Sequence, residues 1–268
     1  MSSPLRASVR IFGYFALTAM LLPFQFFALK FNKKLAVQLP IFYHRVCTRI
    51  LGFEIRVHGE KLASSPVLFA CNHVSYSDIA ILGSLLPASF VAKAEVAKWP
   101  LFGLLAKLQR TVFVNRRATK ATKQRDEMIC RLEGGDSMIL FPEGTSSDGN
   151  KVLPFKSALF GVAQVEPHGQ PLLVQPVSLA YTRLDGMPVG RALRPYFAWY
   201  GAMTLVSHFW EVAGLGRATV DVIFHPPVVI SEYQSRKALS EHCHTIVARG
   251  VSAANSGRLD AYLHPSNS

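Results

Sequence analysis

Acidic residues are scarce in this chain: 17 Asp and Glu stand against 29 Lys and Arg in 268 residues. Charge of either sign is low as well, at 17%, where an average soluble domain carries about 25%. With half of its residues hydrophobic, the chain is not disordered, a coiled coil or a collagen-like rod. Cysteine is also sparse. Cys47, Cys71, Cys130 and Cys243 form no CxxC pair and no zinc-like spacing, so they read as small buried apolar residues in a reducing compartment. No Gly-x-Ser-x-Gly elbow, Walker A loop or HExxH pair is present, which removes the chemistries those patterns serve. Internal repeats, low-complexity linkers, zinc fingers and RNP-like motifs are missing too. The net charge of +12 therefore points to an anionic membrane or a small acidic ligand, with nucleic acid excluded as a partner.

What the sequence does have begins at its N-terminus. From Ile11 to Leu29 run 19 uncharged residues, flanked by Arg10 and by Lys30, Lys33 and Lys34. As a helix this run is about 28 Å long, close to the thickness of a hydrocarbon core. It lacks the small-x-small cleavage site of a signal peptide before Lys30. In the next segment, Leu35, Leu39, Phe42, Val46 and Ile50 recur at helical spacing, while Lys34, Gln38, Arg45 and Arg49 form a separate basic stripe. An apolar helix followed by a basic amphipathic one suits a leaflet with anionic headgroups. The pattern fits a single span and a one-leaflet hairpin equally. We expect residues 1–52 to form a membrane-associated hairpin and residues 53–268 an α/β domain.

After Gly52, short apolar runs alternate with helical ones. Strands are expected at Glu54–His58, Pro66–Cys71, Ser89–Ala92, Thr111–Val114, Ser137–Phe141, Leu172–Ala180, Tyr196–Tyr200 and Thr219–Phe224. Helices are expected at Ile79–Leu86, Trp99–Leu108, Ala118–Glu133, Ser157–Val165, Thr204–Val212 and Ser235–Ala254. This alternation predicts a mixed, mostly parallel sheet flanked by helices. Pro176, inside Val174-Gln175-Pro176-Val177, suggests an edge or a bulge.

Four segments carry chemistry. His73 and Asp78 follow the strand ending at Cys71. A carboxylate that accepts the imidazole N–H fixes its tautomer and stabilises the imidazolium. Five residues of regular helix would separate the two by about 140°, so they meet only if Ser75 and Ser77 turn the chain. Phe141-Pro142-Glu143-Gly144-Thr145 is a tight turn whose N–H groups and Thr145 hydroxyl could meet an anion. Glu143 suits ordering that loop or pairing with a cation better than gripping phosphate. Arg116, in Phe113-Val114-Asn115-Arg116, is a strand-end guanidinium able to hold phosphate. Lys156 adds charge near the Pro-Glu-Gly turn, whereas Lys120, Lys123 and Arg125 read as a solvated face. His242 and His244 flank Cys243, but positions i and i+2 of a helix diverge, and no metal site is expected.

Together the His-x4-Asp, Phe-Val-Asn-Arg, Phe-Pro-Glu-Gly-Thr and Val-x-Pro-Val blocks resemble the PlsC-like glycerolipid acyltransferases, from about Gly52 to Ala180. One departure is Asn115, where many members have Asp. The resemblance implies that His73 is general base on a lysolipid hydroxyl, with Asp78 orienting it. Arg116, Glu143, Gly144, Thr145 and Lys156 would form the acceptor site. The donor would be acyl-CoA or acyl-carrier protein, with no further cofactor. Lysophosphatidate is the expected acceptor, giving phosphatidate, and lyso-ornithine lipid is the alternative. A non-enzymatic membrane adaptor on the same fold is the reading from another class. The active domain would face the cytoplasm, at the inner membrane if the source is bacterial.

Overall fold

The computed structural model describes residues 2–62, 66–114 and 118–264. The chain opens with two antiparallel helices, α1 (Pro4–Phe31) and α2 (Lys33–Leu51). Asn32 makes the reversal. Its backbone N–H closes α1 on the carbonyl of Ala28, and its Oδ1 accepts the N–H of Leu35 at 3.0 Å to start α2. Gly52 ends α2 in the left-handed conformation, at φ +81°, which costs glycine little.

α1 is long and apolar enough to cross a bilayer, yet only 22% of its most apolar 18-residue window is buried. A core helix would hide far more. Its buried residues, Ala7, Tyr14, Leu17, Gln25 and Ala28, form one narrow stripe. Leu5, Phe12, Met20, Phe24 and Phe27 remain exposed, a band that suits lipid better than water. On α2 the basic stripe of Lys34, Gln38, Arg45 and Arg49 is exposed as expected. Its buried positions, Ala36, His44, Cys47 and Leu51, lie beside the anticipated apolar stripe, which is left at the rim with Phe42 outermost.

The hairpin lies along the domain. Near its start, Arg10 donates to the carbonyls of Ala213 and Leu215. Near its end, Gln25 donates to the carbonyl of Leu108 at 2.8 Å. A helix tied to one domain at both of these points runs over its surface instead of projecting away from it. Ala7 and Leu51 join the same buried cluster as sheet residues.

The strands are β1 (Phe53–His58), β2 (Val67–Cys71), β3 (Ala88–Lys93), β4 (Val112–Val114), β5 (Ser137–Leu140), β6 (Leu173–Leu184), β7 (Met187–Pro188) and β8 (Ala218–Phe224). They pair in the order β1-β8-β6-β2-β5-β3-β4, with β7 on β6. All pairs are parallel except β6 with β7 and β6 with β8. The helices beyond the hairpin are α3 (Ser77–Leu85), α4 (Phe102–Leu108), α5 (Ala118–Glu133), α6 (Leu205–Gly214), α7 (Arg236–Asn255) and α8 (Leu259–Leu263). β2 is buried throughout, so its alternate residues serve two cores. Val67, Phe69 and Cys71 pack with residues of α3 and α6, while Leu68 and Ala70 share a core with residues of α5 and α7. The mixed, mostly parallel sheet is as expected.

Several local expectations need correction. Tyr196–Tyr200 is not a strand. Pro195 opens a 3-10 turn at Arg194–Tyr196, and Phe197 leaves it to stack on Tyr181 with ring centroids 5.1 Å apart. The helix expected at Trp99–Leu108 starts three residues late, at Phe102, and a 3-10 turn at Ala94–Lys98 precedes it. Pro100 forces Trp99 into an extended conformation between them. Ser157–Gln164 is wound as 3-10 helix. Cys130 is exposed, unlike the other three cysteines, because α5 turns that position away from the sheet. Pro176 lies in a central strand, with β2 on one side and β8 on the other. Regular pairing with β8 begins only at Val177. Before it the Pro176 carbonyl accepts the N–H of His225 and Val174 bridges Val228, so the proline sits at an irregularity in the pairing where its missing N–H is not needed.

Candidate active site

β2, β3, β4 and β5 run parallel, so all four end at one rim of the sheet. Loops at that rim carry three of the sequence blocks. The His73 turn is pinned as it leaves β2. The Asn72 side chain donates to the carbonyl of Leu179 at 2.9 Å and accepts its N–H at 2.8 Å. Asp78, in the first turn of α3, is fully buried. Its Oδ2 accepts the N–H groups of Val74 at 2.7 Å and Ser75 at 2.9 Å. The same oxygen lies 2.8 Å from His73 Nδ1. Its other oxygen accepts the Tyr181 hydroxyl at 2.8 Å. Surrounded by donors, the carboxylate fixes Nδ1 as the protonated nitrogen and leaves Nε2 as the basic one. Burial and the neighbouring Asp78 push the Tyr181 hydroxyl well above its ordinary pKa, so it remains a donor. The ring of Phe141 stacks on His73 at 4.1 Å, and the imidazole keeps 20% of its side chain exposed. A hydroxyl can reach it.

Glu143 serves the backbone. Its Oε1 accepts the N–H of His73 at 2.6 Å, and its Oε2 accepts the N–H of Leu153 at 2.7 Å. Burial pushes this carboxyl up to about 8, against the two N–H bonds, which favour the ionised form. The N–H of Ser147 donates to the carbonyl of His73 at 2.9 Å. Both backbone groups of His73 are thereby tied to the Pro-Glu-Gly loop, as the loop-ordering reading of Glu143 anticipated. A glutamine offers one acceptor where two N–H donors point. Glu143→Gln is expected to cost about 2 kcal/mol of stability and to lower kcat without raising the acceptor KM. Chemical denaturation and steady-state kinetics check this; unaltered stability and turnover would contradict the stapling role.

Gly144 has φ +66°, and a β-carbon there would sit 2.5 Å from Lys156 Nζ. The Lys156 ammonium therefore packs over the turn. Thr145 is exposed beside it. Asn115 and Arg116 lie outside the described residues, as do the side chains of Lys120 and Lys123; β4, which leads to Arg116, ends at the shared rim. The structure thus brings together His73, Asp78, Glu143, Gly144 and Lys156.

Two contributors escape sequence reasoning. Tyr181 holds the far oxygen of Asp78 from 103 residues away. Its position on β6, five residues beyond Pro176, was the available signal. The loop around Trp199 folds over the His73 turn: its N–H donates to the carbonyl of Val74 at 3.0 Å, and its carbonyl accepts the Ser146 hydroxyl. Nothing in spacing or composition marks that loop.

Behind the turn lies a cavity of about 190 Å³ between the hairpin and the sheet. Tyr76 and Ser77 line it beside the catalytic turn, and Phe90, Trp99, Leu105 and Phe209 line its body. Phe90 also stacks at 6.1 Å on Phe141, the ring that covers His73, so two stacked rings link the imidazole to the cavity lining. A partly exposed imidazole held by a buried carboxylate, with an apolar slot nearby, suits proton removal from an alcohol attached to a hydrocarbon chain. Among the described residues no cluster of metal-ligating side chains occurs.

Comparison with known proteins agrees with this chemistry. A family model described as Acyltransferase matches residues 54–180. A lyso-ornithine lipid O-acyltransferase of Brucella abortus is 43% identical, over 94% of this chain and 97% of that protein. Another from Rhizobium meliloti is 42% identical, over 82% and 77%. A 1-acyl-sn-glycerol-3-phosphate acyltransferase of Neisseria gonorrhoeae is 33% identical, over 71% of each. The crystal structure of the PlsC acyltransferase of Thermotoga maritima superimposes with a TM-score of 0.63 at 23% identity, covering 89% of this chain and 92% of that one. This last likeness speaks for the fold.

Proposed function

This chain belongs to the PlsC-like acyltransferase family and is an O-acyltransferase of lysolipids, and from there we propose the roles of its residues and its acceptor. His73 Nε2 takes the proton of the lysolipid hydroxyl. The oxygen attacks the carbonyl carbon of an acyl thioester, the C–S bond breaks, and the thiolate leaves with the proton that His73 returns. Asp78 stabilises the imidazolium in between, and Tyr181 keeps Asp78 in place. No covalent acyl-enzyme and no cofactor is needed, since the thioester is already activated. The observation that carries this reading is the 2.8 Å contact between His73 Nδ1 and Asp78, which leaves Nε2 as the nitrogen able to take a proton.

Acyl-CoA or acyl-carrier protein supplies the thioester, and the cavity between hairpin and sheet receives one hydrocarbon chain. Residues 1–52 hold the α/β domain of residues 53–268 against one leaflet, on the cytoplasmic side. Lysolipid and diacylated product then exchange with the bilayer without crossing water.

For the acceptor we place lyso-ornithine lipid first, because the relatives at 43% and 42% identity carry its name, against 33% for the Neisseria relative. Lysophosphatidate is the second reading, supported by the Neisseria relative and by the basic Asn115-Arg116-Arg117 stretch. Arg116 and Lys156 are the proposed grip on the acceptor's anionic group. A competition assay with one acyl thioester and both lysolipids should give a higher kcat/KM for lyso-ornithine lipid. Arg116→Ala in the same assay should raise the acceptor KM about tenfold and leave the donor KM unchanged. Preference for lysophosphatidate would reverse the order, and an unmoved acceptor KM would remove Arg116 from the site.

A further inference from the structure

α6 leaves an apolar stripe uncovered: Val206 is 82% exposed and Trp210 43%, with Met203 just before the helix also exposed. The stripe has a definite direction. At about 100° per residue, Val206 and Trp210 lie about 40° apart on one side of α6. Phe209, which packs on Tyr14 of α1 at 5.4 Å, and Ala213, whose carbonyl takes Arg10, lie within about 60° of Val206 on the side next to α1. The exposed polar residues Ser207 and Glu211 are turned a further 60° to 100° or so beyond Trp210, away from α1. The uncovered apolar residues of α6 thus adjoin α1, and its polar residues turn from it.

The two helices are also bolted together. Ser3 N–H donates to the carbonyl of Gly214 at 2.9 Å, and Arg6 reaches the same carbonyl. Arg10 collects the carbonyls of Ala213 and Leu215, a favourable place for a cation at a helix C-terminus. α6 is thus fixed to the first turns of α1.

We propose that α6 is a third membrane-contacting element, in which Val206 and Trp210 enter the leaflet that holds α1 and Glu211 marks the level of the headgroups. The occupant is lipid, because α6 is hydrogen-bonded to the start of α1, the helix whose Leu5, Val9 and Phe12 are left exposed. Trp is moreover the residue that favours the boundary between hydrocarbon and water. The consequence is orientation. A hairpin alone can roll about its own axis, whereas contact through α6 fixes the roll. Leu205 and Phe209, which line the apolar cavity, then sit directly above the lipid phase.

This rests on the reading of α1 as the element in the leaflet, and the test separates the two. Nitroxide labels are placed at Val206→Cys and, in a second protein, at Phe12→Cys, both with Cys130→Ser because Cys130 is the one exposed cysteine. A third label at Glu241→Cys, on exposed α7, is the aqueous reference. Power-saturation spectroscopy on vesicles of phosphatidylglycerol and phosphatidylcholine should show Phe12 and Val206 open to oxygen and shielded from a nickel chelate, with Val206 the shallower. Glu241 should stay open to the chelate. A shielded Phe12 with Val206 as accessible as Glu241 would overturn the α6 proposal alone. Both labels open to the chelate would overturn it together with the reading of α1. Trp210→Asp, outside the cavity lining and the His73 turn, should weaken vesicle partitioning about tenfold; unchanged partitioning would count against the proposal.

Discussion

His73→Ala keeps its fold and loses at least about 10³-fold in kcat. Both halves of that expectation come from the same geometry. The buried carboxylate of Asp78 retains three donors, the N–H groups of Val74 and Ser75 and the Tyr181 hydroxyl, when the imidazole is removed. No buried charge is orphaned, and the loss is limited to ring stacking on Phe141, about 1 kcal/mol. The chemistry has no such reserve. The cavity lining holds no carboxylate that could take over, and the Tyr181 hydroxyl, held protonated, is itself a donor. Circular dichroism and thermal unfolding report the fold, and thiol release under single-turnover conditions reports the step. Turnover within tenfold of the wild type in a folded variant would exclude His73 as the base.

Asp78→Asn is the second large effect and separates orientation from charge. The amide matches the carboxylate in shape. Its oxygen can accept from Val74, Ser75 and His73, while its NH₂ faces the Tyr181 oxygen, which turns from donor to acceptor. What disappears is the negative charge that stabilises an imidazolium. The expected result is a fall of about 10² to 10³ in kcat, with little change in acceptor KM and a stability loss below about 2 kcal/mol. Asp78→Ala differs in kind: it leaves buried N–H groups without acceptors, and the turn that holds His73 is expected to open. Equal stability for the two variants would show that Asp78 does not organise the turn. Undiminished kcat in the Asn variant would show that its charge plays no part.

How much of this was legible beforehand follows from the range of the interactions involved. The His73–Asp78 pair spans five residues, and a strand end, two serines and a helix start announce the turn between them. Glu143 could be read as a loop-ordering group because a carboxylate is a poor ligand for phosphate, although its target, the backbone of His73, lies 70 residues away. The parallel sheet is visible in its alternation of short apolar runs with helices. By contrast, Tyr181 acquires its role only once β6 lies beside β2. Trp199 acquires its role only once an irregular loop folds back over the turn. Their partners are distant in sequence; the place of Tyr181 on β6 beyond Pro176 was the one available signal, and nothing marks Trp199. Proline misled twice for local reasons: Pro195 and Pro100 break elements whose composition suits a strand and a helix. The lipid-facing surface was half legible. α1 announces itself by length and hydropathy, whereas α6 is too short to do so and shows its bare stripe only when packed beside α1.

The central claim is that an imidazole oriented by a buried carboxylate moves an acyl chain from a thioester to a lysolipid hydroxyl beside an apolar slot. Its most direct test is acceptor-dependent thiol release by the purified protein from a defined long-chain acyl thioester, with lyso-ornithine lipid and lysophosphatidate offered separately. The account predicts one thiol released per diacylated lipid formed, and release that falls to background when the lysolipid is left out. Thiol release at the same rate without any lysolipid, or none with either, would contradict it.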